Sequence, residues 1–161
     1  MSKWQYKGLP VENIEDLNKI DPRIPTELVG FVYLVEWYQD YPEKNEWQVY
    51  HFYVGKKQFY SHTKAKIGVR EKAATKTRKT YKRTTKESNW KSYCTSSKPI
   101  QALVEQHGEQ LFKWTILEPC CTLKMLSYQE IRYQIKFDCL ESINCFNDNI
   151  AGKYYKPIGK C

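Results

Sequence analysis

Histidine is scarce in this chain, with single residues at 51, 62 and 107, and no two cysteines stand in C-x-x-C spacing, so no zinc set can be assembled from the sequence. No apolar run approaches the roughly 20 residues that cross a bilayer. The opening MSKWQYKGLP has no apolar signal core. Cys94, Cys120, Cys121, Cys139, Cys145 and Cys161 are therefore read as free thiols in a reducing cytoplasm, not as a disulfide framework. Acidic residues are nearly missing from one stretch. Between Lys56 and Lys91 stand thirteen Lys or Arg against only Glu71 and Glu87, so this segment carries +11 of a total of +8 and the rest of the chain sums to −3. A cationic segment set in a slightly acidic body suits a polyanion, because each cation placed on a phosphate releases condensed counterions. A solvated surface loop is the plainer alternative.

What is present is aromatic: five Trp, thirteen Tyr and six Phe among 161 residues, 41% of which are hydrophobic, enough for one core and one domain. Residues 1–28 mix Pro10, Pro22 and Pro25 with polar residues and are expected to be an irregular arm with one helical turn near Val11–Asn18. Two β-type runs follow, Val29–Tyr38 and Trp47–Gly55, separated by a polar link holding Pro42 and Asn45, which predicts a hairpin. Centred near Glu43 and without a bulge, that hairpin sets Tyr33 opposite Tyr53, with Cβ atoms about 4.5–5.5 Å apart on one face. An aromatic cross-strand pair is by itself a common structural device.

The basic stretch shows no clear period between Thr63 and Ser88 and is expected to be a loop or a mobile helix that orders on its ligand. Ile100, Leu103, Val104 and His107 fall at helical spacing, with Gly108 as a stop. His107 is read as a packed histidine. Leu111–Leu117 predicts a third strand ending at Glu118–Pro119. A second helix is expected from Thr122 to about Leu140, with Leu123, Leu126, Ile131, Ile135 and Cys139 inward. Glu130, with Leu126, Tyr133 and Phe137 one turn away, sits at the edge of the buried face, where a carboxylate needs a cation or a metal. A surface Glu reaching water is the alternative reading. Cys145–Asn149 reads as a turn and residues 151–161 as a short basic tail.

The order Gly30–Tyr33 (GFVY), Tyr53–Gly55 (YVG), a later helix with a lone Glu and an Asn after it resembles the GIY-YIG nuclease superfamily from about Val29 to Asn149. YVGKKQF at Tyr53–Phe59, ESNWKSYCTSS at Glu87–Ser97 and LSYQEIRYQ at Leu126–Gln134 look like its homing-type members encoded by bacteriophages. The link between the two motif strands is longer than in most relatives, Val54 replaces Ile, and Thr95 stands where the phage relatives keep Gly.

The resemblance implies an α+β fold: a small antiparallel three-stranded sheet flanked by helices, as one nuclease domain over 29–150 with a basic DNA-binding insertion at about 56–91. It implies a DNA endonuclease using Mg²⁺ or Mn²⁺ in the cytoplasm of a bacterial cell. The implied catalytic residues are Tyr33 as the preferred base, Tyr53 as its partner, Lys57 or Arg70 for the scissile phosphate, Glu130 for the metal and Asn147 to tie down the loop after the helix. Lys66, Arg78 and Arg83 compete for the phosphate role, and Asn144 and Asn149 for that of Asn147. DNA contacts are expected from Lys56, Lys57, Lys64, Lys66, Arg70, Arg78, Arg83, Trp90, Ser96 and Ser97, with Gly55 as a structural motif residue. The alternatives are a restriction or repair nuclease of the same superfamily, and a non-catalytic basic nucleic-acid-binding domain with no need of Glu130.

Overall fold

The computed structural model describes residues 2–41 and 46–156, with side chains for all of these except 39–41 and 46–50. The expected loop centre at Glu43, with Pro42 and Asn45, lies outside the described residues, as does the tail from Pro157 and with it Cys161.

The chain opens with β1 (Trp4–Tyr6), β2 (Leu9–Pro10) and α1 (Ile14–Ile20), then forms a long hairpin of β3 (Gly30–Tyr41) and β4 (Glu46–Gln58). The basic segment follows as β5 (Tyr60–Lys66), α2 (Val69–Thr75) and β6 (Tyr81–Glu87). α3 (Lys98–His107) leads into β7 (Phe112–Cys120), and α4 (Leu123–Lys136) is followed by the small pair β8 (Asn149–Ile150) and β9 (Tyr154–Tyr155). The central sheet has the order β2-β1-β7-β3-β4, with β1 parallel to β7 and the other neighbours antiparallel.

The α+β class stands, but the sheet is mixed and five-stranded where an antiparallel three-stranded one was expected. The two added strands come from residues 1–28, which are not irregular. Trp4, Val11 and Leu17 of this segment are fully buried. Its prolines misled because Pro10 lies on the outermost strand, where a missing N–H is tolerated, while Pro22 and Pro25 fall after α1.

β3 is apolar along its length because both sheet faces are covered. Phe31, Tyr33 and Val35 enter a large aromatic core with Trp4, Phe59, Trp90, Trp114 and residues of α1 and α3. Val32 and Leu34 enter a second cluster with Val54, Cys120, Leu126, Cys139 and Cys145 beneath α4. The inward side of α4 also departs from expectation: Leu123 and Ile135 are exposed, whereas Leu126 and Gln134 are buried. The helix is thus turned so that the Leu126–Glu130–Gln134 line meets the sheet.

The basic segment is neither loop nor mobile helix. β5 and β6 form a two-stranded ribbon, and no residue of β5, α2 or β6 is buried.

Candidate active site

The register of the β3–β4 hairpin decides where the tyrosines meet. Near the loop Tyr41 pairs with Glu46, so partner numbers sum to 87 there. A bulge lies between Trp37 and Tyr38, which pair with His51 and Val49, and inward of it Tyr33 pairs with Gly55 and Val35 with Tyr53. The expected Tyr33–Tyr53 opposition is therefore replaced by a diagonal, because both the turn position and the extra residue shift the ladder. Without the bulge, Tyr33 would face Val54 and Tyr53 would point to the other side of the sheet. With it, the rings share one face, their centroids 6.2 Å apart. Gly55 makes room for them: a Cβ there would lie 2.6 Å from the Tyr33 hydroxyl oxygen and 2.7 Å from Tyr53 Cε1.

The two phenols differ in surroundings. Tyr33 is fully buried, edge-on to Trp4 and Tyr93, with its hydroxyl 3.4 Å from Thr95 Oγ1 and accepting from the Ser96 N–H at 3.4 Å. Burial first, then the neighbouring Tyr93 and Tyr53, drives its pKa well above the ordinary value. Tyr53 shares a 2.8 Å hydrogen bond with Ser96 Oγ. Burial also raises its pKa; the Ser96 bond works against that rise and the Glu130 charge adds to it.

β4 is the outermost strand of the sheet, and its free edge is where both faces meet. Residues 144–147 dock along that edge: the Phe52 N–H donates to the Asn144 carbonyl and the Phe146 N–H to the Phe52 carbonyl, both at 2.9 Å. Asn147 then continues the ladder with its side chain. Its Oδ1 accepts from the Val54 N–H at 2.9 Å and its Nδ2 donates to the Val54 carbonyl at 2.8 Å. Gln134 Nε2 reaches the same carbonyl at 3.4 Å. The rivals Asn144 and Asn149 make no such pair of bonds; Asn149 Oδ1 instead accepts from the Gly152 N–H.

Beyond this clamp lies a cleft of about 680 Å³, lined by Tyr53 and Ser96 from one face, Lys56 from the edge, Glu130 and Gln134 of α4 from the other, and Asn147 and Asp148. Lys56 Nζ sits 2.9 Å from Glu130 Oε2 and 3.1 Å from Ser127 Oγ. The start of α3 also borders the cleft through Ser97, Lys98 and Pro99. The first turn of a helix offers unpaired N–H groups and a positive dipole end, and that of α3 carries no acid.

Several sequence-derived candidates lie elsewhere. Trp90 is a correction: fully buried against Phe59 and Phe31, with Nε1 donating to Glu87 at 2.9 Å, it has no face free for a base. Arg70 lies on α2 beyond the far end of the ribbon, about 20 Å along seven residues of strand from its base. It lines none of the cleft, so its catalytic reading is withdrawn. Lys57 faces away from Glu130: its Nζ donates to Asn89 Oδ1 at 2.8 Å and lies 4.0 Å over the Tyr93 ring, and burial lowers its pKa. Lys64, Lys66 and Arg83 are on the ribbon, and Arg78 is in the link between α2 and β6. His107 stacks on Trp37, 5.6 Å between centroids, as a packed histidine does.

Sequence reasoning missed Thr95, which is buried with Oγ1 accepting the Ser97 N–H at 3.2 Å, and the roles of Lys56 and Lys98 at the cleft. The helical spacing of Gln134, one turn after Glu130, was the signal for that residue. Nothing local marked Thr95.

Among the described residues no three His, Cys, Asp or Glu cluster as a preformed metal cage. The cleft instead offers the Glu130 carboxylate, already drawing a cation in Lys56 Nζ, with Asp148 on the same wall. That donor set fits Mg²⁺ or Mn²⁺, which take one or two carboxylates and keep several waters, and is unlike the four-ligand sets of structural zinc. No described helix is long and apolar enough to cross a membrane.

Comparison with curated proteins and with solved structures finds no match. Comparison with protein families does: residues 14–156 match the family described as "Putative endonuclease segE, GIY-YIG domain". That span covers both motif strands, the ribbon, α4 and Asn147, and the chain belongs to this GIY-YIG nuclease family.

Proposed function

We propose that the protein is a divalent-metal-dependent endonuclease that hydrolyses DNA phosphodiester bonds, and that it is of the homing type encoded by bacteriophages. The observation that carries this is the convergence of Tyr53, Lys56, Ser96 and Glu130 on one cleft at the edge of β4. Hydrolysis needs a positioned water, charge for the transition state and help for the departing oxygen. A divalent ion held by Glu130 would supply Lewis-acid charge stabilisation.

The chain's own groups do the rest. Tyr53, which borders the cleft, takes the role that the sequence assigned first to Tyr33; its hydroxyl orients the attacking water and in the phenolate form accepts its proton. Tyr33, sealed in the core, holds the Ser96 backbone in place. Lys56, released from Glu130 when the metal enters, and the first turn of α3 with Lys98 hold the phosphate. Asn147 fixes the strand that carries Tyr53.

Purified protein is expected to nick or cut supercoiled plasmid in Mg²⁺ or Mn²⁺ and to stop in EDTA. Glu130→Gln should lose cleavage at least about 100-fold while still shifting DNA in a gel. Cleavage by this variant at the wild-type rate overturns the assignment. The Lys56–Glu130 ion pair favours one other reading, a non-catalytic DNA-binding domain in which the pair is only structural. Binding without cleavage under any divalent ion would decide for it.

A further inference from the structure

We propose that the β5–β6 ribbon is the sequence-reading element of the protein, entering the major groove of duplex DNA with the face that carries Lys64 and Arg83. The proposal rests on the nuclease reading and adds where and how the DNA is read.

The ribbon cannot be explained as part of the fold. Its cross-strand partners are Tyr60 with Glu87, His62 with Thr85, Lys64 with Arg83 and Lys66 with Tyr81 on one face, and Ser61 with Lys86, Thr63 with Thr84 and Ala65 with Lys82 on the other. Neither face is apolar and none of these residues is buried, so no hydrophobic gain holds the strands together. Lys64 and Arg83 stand directly opposite, and like charges so placed repel. Neither makes a hydrogen bond or ion pair among the described residues, whereas Lys82 on the other face pairs with Glu71 of α2 at 2.7 Å. The second face is thus tied to α2 near the tip, and the first keeps its cations free for a ligand outside the chain.

Shape and charge select the ligand. Two strands about 4.8 Å apart, with side chains on both sides, fit the roughly 12 Å major groove of B-DNA and not its roughly 6 Å minor groove. Seven residues at about 3.4 Å each span about seven base-pair steps. The deep, narrow major groove of duplex RNA admits no such ribbon. On the free face Arg83 can bond guanine O6 and N7, Thr85 can touch a thymine methyl, and His62 and Lys64 can meet acceptors at base edges. His62 Nδ1 is 3.1 Å from Thr85 Oγ1, which sets these two side by side in the middle of the ribbon. Tyr60 follows Gln58 of β4 by two residues, so the base of the ribbon continues directly from the strand that carries Tyr53 and Lys56.

The test is methylation interference on a duplex containing the cleavage position mapped from a wild-type plasmid digest. Binding is read with the Glu130→Gln protein in EDTA, so that it does not depend on cutting. N7-methylation of guanines within about seven base pairs of the cut is expected to weaken binding roughly 10- to 100-fold, and N3-methylation of adenines to leave it unchanged. Adding Arg83→Ala should remove the guanine effect at one position, while adding Lys86→Ala, on the opposite face, should weaken binding to all sequences alike and leave the pattern in place. Circular dichroism of both variants should match the parent, since no buried residue is touched. Interference confined to adenine N3, an unaltered pattern in Arg83→Ala, or equal competition by duplex RNA would each overturn the proposal. A protein that binds and cuts DNA without N7 interference refutes the ribbon's role alone, whereas one that neither binds nor cuts refutes the nuclease reading.

Discussion

The molecule contains two antiparallel pairs, adjacent in sequence and opposite in physical character. In the β3–β4 pair nearly every inward residue of β3 is buried, on both faces, and the ladder is locked by an aromatic cluster around Phe31 and Tyr33. In the β5–β6 pair nothing is buried and cations stand opposite each other. Burial in the first gives the rigidity that holds a phenol, a carboxylate and an amide around one cleft. Exposure in the second leaves positive charge whose partner is another molecule.

This contrast can be broken most forcefully from the packed side. Phe31, fully buried among Trp4, Tyr33, Phe59 and Trp90, should cost about 3–5 kcal/mol when replaced by Ala. A urea midpoint near that of the wild type would show that the aromatic cluster is not what holds the first pair. Asn147→Ala comes next, because it leaves the Val54 N–H without its partner and weakens the hold on the Val54 carbonyl. About 1–3 kcal/mol is expected for each group so exposed, together with faster amide exchange of residues 52–54. Unchanged exchange there would mean that water replaces the side chain at no cost.

A smaller effect tests the site itself. Burial raises the Tyr53 pKa above its ordinary value near 10, so the phenolate fraction is small at neutral pH and grows about tenfold per pH unit. Cleavage by the wild type should rise with unit slope through pH 9; a plateau below pH 8 would remove Tyr53 as the base. The smallest effect belongs to the ribbon. Lys64→Ala with Arg83→Ala should move stability by no more than about 0.5 kcal/mol for each residue, while lowering the salt slope of binding by about one unit for each phosphate no longer neutralised. A large loss of stability would mean that the ribbon belongs to the packed body after all.

Much of this organisation was legible in local patterns. The β-type runs around GFVY and YVG, the helix stopping at Gly108 and the strand after it carry strong periodic or compositional signals, and the structure has an element at each. Glu130 was placed by its one-turn neighbours. The N-terminal strands were not legible, because β1 has three residues and β2 two, too short for any period, and they exist only through pairing with β7. Trp90 was misjudged for a related reason: an aromatic beside a charge run looks the same in sequence whether it stacks on a base or on Phe59. The register error came from the bulge in β4, which no residue type announces.

The sequence by itself determined that there is a sheet with an aromatic face, a helix bearing a lone carboxylate, and a segment of concentrated positive charge, because composition and periodicity are properties of neighbours along the chain. Which phenol meets the cleft, that Lys56 and not Arg70 faces Glu130, and that the charge is spread on an open ribbon were decided by tertiary structure alone. A single bulged residue and the rotation of α4 set those positions, and both are fixed by packing between segments far apart in sequence.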